Sequence, residues 1–189
     1  MSRLAGQRAY LSGAMDAPEA LGGVEWRSYI TPILQKMGIG VFNPCDKPIL
    51  YNDFPETPEM RELILKLKKD GKFSEVVEYY KQIVHEDLRG VDNCDFVICY
   101  LDIYQFPCGT YDEIYMAAGQ RKPVLIVCPH GKENVPNWLW GRLRHELFFS
   151  SFDDMLKYLS RLDVGQESDL NRWVFFDYDK MFGRSESNE

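Results

Sequence analysis

Residues 94–101, Cys-Asp-Phe-Val-Ile-Cys-Tyr-Leu, carry apolar side chains on both alternating faces. A strand tolerates such a run when helices bury it on each side, which is the setting of a parallel sheet. The loop after it holds Asp102 and the pair Gly109-Thr110, and the next helix is predicted to begin at Asp112 and Glu113. In an open α/β sheet this loop lies at the carboxyl end of a strand, where ligands bind. A carboxylate in a first helical turn feels the positive end of the dipole and tends to stay ionised. Glu113 is thereby placed to act as a base or nucleophile, with an ordinary helix-start acid as the competing reading.

The rest of the pattern agrees with an α/β fold. Residues 8–12 read as a first strand running into Gly13. Trp26, Tyr29, Ile30, Ile33, Leu34 and Met37 recur at helical intervals and predict a helix over 24–37, stopped by Gly38. A second strand over 39–42 closes at Asn43-Pro44. The proline-rich stretch from Lys47 reads as a loop insertion, followed by helices over 58–69 and 73–90. In the second of these, Val76, Val77, Tyr80, Ile83, Val84 and Leu88 form an apolar stripe expected to pack on the sheet. Residues 112–119 form the next helix and 123–128 a fourth strand. Ser151 caps a final helix through 162. The predicted fold is a single Rossmann-like (flavodoxin-like) α/β domain over 1–189, with a mainly parallel four- or five-stranded sheet and helices on both faces. An insertion at 47–71 and a helical, aromatic C-terminal extension at 136–189 complete it.

Composition narrows the function. A chain of 189 residues, 45% hydrophobic, can build one full core. A net charge of -7 argues against a polymeric nucleic-acid partner, which requires a clustered basic surface. The five cysteines have no framework spacing, and without an N-terminal signal sequence a reducing cytoplasmic setting is expected. No apolar stretch approaches the roughly 20 residues of a membrane span. His85, His130 and His145 are scattered and no Cys/His spacing suits zinc, so no metal is expected. Neither the dinucleotide glycine fingerprint nor a phosphate loop is present, and no cofactor is expected.

Parallel geometry should bring four groups to one edge: Tyr10, Ser12 and Gly13 with Asp16, then Asn43 with Asp46, then Asp102 through Glu113, and the C-terminal part of the 73–90 helix. Asp87 precedes its strand, and nothing in the pattern puts it at that edge.

Four segments in order resemble nucleoside 2-deoxyribosyltransferases. Tyr10-Leu11-Ser12-Gly13 resembles their opening Y-L-(A/S)-G, and residues 87–98 resemble their D-(L/I)-x-x-(L/I/V)-x-x-x-D-x-V/L-(V/I). Residues 109–117 resemble G-T-x-x-E-x-G-x-A, and Arg121-Lys122-Pro123-Val124 resembles the x-K-P-V that follows. The likeness spans residues 8–130. It implies that Glu113 is a nucleophile attacking C1′ of a 2′-deoxyribosyl group, and that Tyr10 orients it through its hydroxyl. It further implies that Asp87 organises sugar and base and manages the proton of the departing base. Ser12, Gly13, Asp16, Asn43, Asp102, Gly109 and Thr110 are the implied substrate-binding positions. The partner is then a small deoxynucleoside or deoxynucleotide.

Related enzymes hydrolyse deoxynucleoside 5′-monophosphates and need phosphate donors, for which Arg27, Arg89 and Thr110 are candidates. Tyr115 stands where the family carries glycine, which leaves a non-catalytic nucleotide-binding module as a further alternative. The resembled enzymes are homo-oligomers. Trp173, Phe175, Phe176, Tyr178 and Met181 expose enough apolar surface to predict at least a dimer here, unless the segment folds back on its own sheet.

Overall fold

The computed structural model of the protein describes residues 2–15, 25–50, 53–54, 57–105 and 107–183. Among them, five parallel strands form one sheet: β1 Arg8–Gly13, β2 Gly40–Phe42, β3 Phe96–Tyr100, β4 Val124–Val127 and β5 Phe148–Phe149. Their spatial order is β2-β1-β3-β4-β5, so the winding reverses between β1 and β3. That reversal opens a crevice at the carboxyl ends of those two strands. The longer helices are α1 Glu25–Lys36, α2 Pro58–Lys69, α3 Phe73–Asn93, α4 Cys108–Gly119 and α6 Phe152–Asp163. Short helices α5 Asn137–Arg142 and α7 Tyr178–Phe182 complete the set. Among the described residues no helix is long and apolar enough to cross a membrane.

Strand periodicity assigns the two faces. Ala9, Leu11, Phe96, Ile98, Leu125 and Val127 point to one face, where Trp26, Ile30 and Leu34 of α1 and Met155, Leu159 and Leu162 of α6 cover them. Tyr10, Val97, Cys99 and Ile126 point to the other, covered by Val91 of α3 and by Ile114 and Ala117 of α4. Ser12 shares the second face by the same alternation. The two hydroxyls of β1, Tyr10 and Ser12, therefore lie two residues apart beneath α4.

Three expectations are corrected. Helix α4 begins at Cys108, so Glu113 lies in its second turn and outside the reach of a first-turn dipole argument. Gly109 and Thr110 are helical rather than part of the preceding loop turn. On α3 the buried positions are Ile83, Asp87, Gly90 and Val91, whereas Val77 and Val84 are about half exposed (47% and 46%). Helix α3 packs on α2 and α4, and Gly90 and Val91 bring it onto the sheet. The fifth strand, within the expected four or five, is β5 from the chain after 136.

The aromatic C-terminal segment folds back on its own sheet. Trp173 is buried against Phe96, with ring centroids 4.9 Å apart, and its indole N–H donates to the Tyr158 hydroxyl at 2.9 Å. The Tyr178 hydroxyl donates to the carboxylate of Asp95, with Oδ1 at 2.6 Å, while Arg8 stacks over the Tyr178 ring. This clasp sits at the amino-terminal edge of the sheet, opposite the crevice.

Candidate active site

Glu113 belongs to the sheet-facing stripe of α4, with Thr110, Ile114 and Ala117 buried beside it at helical spacing. A carboxylate in that stripe leaves water, and it is the strand beneath that supplies its partners. The Tyr10 hydroxyl donates to Glu113 Oε1 at 2.7 Å, and the Ser12 hydroxyl makes a short hydrogen bond to Oε2. Burial pushes the Glu113 pKa up to about 7, against the opposing pull of the Ser12 and Tyr10 hydrogen bonds. Tyr10 is itself raised well above the phenol range, by burial first and by the Glu113 charge next, and so remains a donor. A carboxylate has about four acceptor sites, and two donors leave room for an electrophile to approach.

Asp87 does reach this site, contrary to what its place before β3 suggested. It lies in the sheet-facing stripe of α3, one turn before Gly90. A Cβ at Gly90 would meet Phe42 Cζ at 2.7 Å and Tyr10 Cε2 at 3.0 Å, so glycine is what lets α3 sit close on β1 and β2. That approach carries Asp87 into electrostatic range of both Tyr10 and Glu113. Burial raises the Asp87 pKa, and Lys47 opposes the rise.

Two cations shape the site, and the sequence signalled neither in this role. Arg27 is wholly buried; its guanidinium donates to Gly13 O at 2.8 Å and Leu11 O at 3.3 Å, tying down the end of β1. A charged residue three before Ile30 and seven before Leu34, inside the apolar stripe of α1, was the available signal for it. Lys47 reaches Asp87 Oδ1 and Glu86 Oε2, each at 3.0 Å, from a loop far away in sequence. No local pattern marks it.

The remaining positions divide. Gly13 lies where an added Cβ would meet Tyr100 O at 3.1 Å and Trp26 Cζ2 at 3.3 Å, so it permits a close crossing at the crevice. Thr110 is buried one turn before Glu113. Gly109 is exposed with open space around it. The Asn43 carboxamide accepts from Cys45 N at 3.0 Å and its backbone bridges to Asp46, so it shapes the turn after β2. Asp102 accepts from Tyr104 N and Gln105 Nε2, each at 3.0 Å, and pairs with His130 Nε2 at 3.1 Å. Partial burial pushes its pKa up, but these partners together hold it below the usual range, and the side chain braces the loop between β3 and α4. Asp16 lies outside the described residues.

No protein-family profile matches the sequence. No curated protein matches it either. Among solved structures, a 2-deoxyribosyltransferase from the psychrotolerant bacterium Bacillus psychrosaccharolyticus is similar over 88% of this chain and 96% of its own, with TM-score 0.55 and 17% identity. The two chains share one fold. A conserved protein from Enterococcus faecalis is similar over 82% of this chain and 98% of its own, with TM-score 0.51 and 14% identity. A CMP N-glycosidase from Clostridium botulinum, BcmB, aligns over 84% of this chain and 98% of its own at TM-score 0.45 and 18% identity.

Proposed function

We propose that this protein cleaves the N-glycosidic bond of a 2′-deoxynucleoside and transfers the deoxyribosyl group to an acceptor base, as a nucleoside 2-deoxyribosyltransferase. The observation that carries the reading is the buried Glu113 carboxylate, held by the Tyr10 and Ser12 hydroxyls at the reversal point of the sheet. The ordered sequence motifs and the shared fold support it. In its ionised form Glu113 attacks C1′, the C1′–N bond breaks, and the base departs with the bonding electrons and takes up a proton. The product is a glycosyl ester on Glu113. An acceptor base, or water, then attacks C1′ from the opposite face and returns the carboxylate. Tyr10 and Ser12 fix the carboxylate in one orientation, which converts a floppy side chain into a pre-positioned nucleophile. Asp87 organises the sugar and base.

Two of the three candidate phosphate donors are committed elsewhere, which favours a nucleoside over a 5′-monophosphate. The Arg27 guanidinium is engaged by the carbonyls of Leu11 and Gly13, and Arg89 is exposed and pairs with Asp92 at 3.5 Å on the outer side of α3. The test is base exchange: the protein is incubated with a deoxynucleoside and a different free base, and products are followed by chromatography. Formation of the exchanged nucleoside, abolished by Glu113→Ala, is the expected result. Full activity in Glu113→Ala refutes the nucleophile. Faster release of base from a monophosphate than from its nucleoside makes the protein a hydrolase of nucleotides, and tight binding without turnover makes it a binding module.

A further inference from the structure

We propose that Lys47 is a positioning residue for the candidate site: its buried ammonium, delivered by the turn after β2, holds Asp87 as an ionised acceptor rather than a proton donor. The inference rests on the reading of Asp87 as part of the site, and decides between the two duties that reading allows. The Lys47 side chain is 3% exposed, a rare fate for lysine that requires paired charge. Its route in is built locally. The Asn43 carboxamide closes the turn on Cys45 N, Pro44 is buried, and Lys47 follows directly. Its Nζ then lies 3.0 Å from Glu86 Oε2, as a hydrogen bond, and 3.0 Å from Asp87 Oδ1.

The second contact differs from the first. It is an ion pair, and no group donates a well-formed hydrogen bond to that buried Asp87 oxygen. The ammonium therefore compensates the charge of Asp87 and leaves its carboxylate room to accept a further hydrogen bond. A buried acceptor left in this condition costs stability unless a donor arrives. In the candidate site the donor is a hydroxyl of the sugar or an N–H of the base. The charged and titratable groups acting on Asp87 are Lys47 from the loop, Glu86 from α3 and Arg27 from α1, while Tyr10 from β1 and Glu113 from α4 share its field. Glu86 and Glu113 are the acids of this set. Without the ammonium, Asp87 faces both with Arg27 as the offsetting cation among the described residues.

The electrostatics predict opposite responses of Asp87 to two variants, and the pH profile of activity, which a merely structural ion pair leaves in place, tests its role in the site. The carboxyl carbon of Asp87 is followed by carbon-detected NMR through a pH titration, its signal assigned by its absence in Asp87→Asn. Lys47→Met moves the Asp87 midpoint up by about one to three pH units, the usual effect of losing a close opposite charge. Glu86→Gln removes a like charge from a half-buried position and moves it down. In base exchange, Lys47→Met lowers kcat/KM near neutral pH about tenfold or more, and activity returns as pH rises and Asp87 ionises. Lys47→Arg retains most of the activity and the profile.

Unmoved Asp87 midpoints in both variants overturn the proposal. So does a Lys47→Met enzyme with unchanged kcat/KM and pH profile, or one more active than the parent, since a proton-donating Asp87 gains from loss of the ammonium. If Lys47→Met does not fold, the downward shift in Glu86→Gln and the retained profile of Lys47→Arg decide in its place. A wild-type protein with no turnover on any deoxynucleoside refutes the proposed function instead, and the Asp87 titration still decides whether Lys47 controls its charge.

Discussion

Replacing Glu113 by glutamine removes the one buried carboxylate whose pKa is pushed up to about 7, and the effect on stability is calculable. In the unfolded chain this group titrates near its ordinary value of 4.5. Between those two pH values the folded state binds the proton more strongly than the unfolded state, so stability falls as pH rises. The contribution is complete below the unfolded value and gone above the folded one. At about 1.4 kcal/mol per pH unit, the gap corresponds to about 3 kcal/mol. For a chain of this size that is roughly 6–12 °C in Tm. The glutamine variant keeps the shape of the side chain and has no proton to lose. Urea melts of both proteins from about pH 5 to pH 8 should therefore converge in acid and separate in alkali, with the parent losing about 3 kcal/mol relative to Glu113→Gln. Using the difference between the two curves cancels the other carboxylates. Parallel curves over this range refute the burial argument, because they mean that Glu113 titrates alike in both states.

Other consequences are open to simpler assays. Because the nucleophile must be ionised, kcat/KM for base exchange should rise with pH through about 7, and a pH-independent rate removes Glu113 from that role. Tyr10→Phe takes away one of the two hydroxyl donors, and the acid limb of that profile should move up by about one pH unit, as expected for a hydrogen bond to a charged group. Gly90→Ala places a methyl 2.7 Å from Phe42 Cζ, and should cost about 1–3 kcal/mol in denaturant melts while lowering turnover. Tyr178→Phe loses the hydroxyl that bonds to Asp95, and should cost about 1–3 kcal/mol with turnover unchanged, since the clasp is at the far edge of the sheet.

What could be read from the chain depended on how local its cause was. The strand around Val97 was legible because burial on two faces leaves a continuous apolar run. The helix bearing Glu113 was legible in kind but not in its start. Pro107, Gly109 and Thr110 look like loop residues, and tertiary packing overrides their weak propensity to begin α4 at Cys108. Asp87 was visible as a motif residue, but its route to the site depends on Gly90, whose value lies in the contact with Phe42 and Tyr10. Lys47 was read as part of a loop insertion, since its partners Glu86 and Asp87 are about forty positions away. The stripe of α3 misled for a related reason. Val77 and Val84 have helical spacing, yet each stays about half exposed while Ile83 beside them is buried.

The two flanking strands also bear on how copies of this protein can meet. At one margin β2 has three residues, and at the other β5 has two. Backbone addition needs a run of unpaired amide and carbonyl groups, and strands this brief offer a template too small to recruit another chain. Sheet-to-sheet extension, the usual route from a parallel fold to aggregates, is thereby closed at both ends. Self-association across these two margins then falls to side chains, where sequence can tune it, and not to the peptide backbone, where sequence has little say.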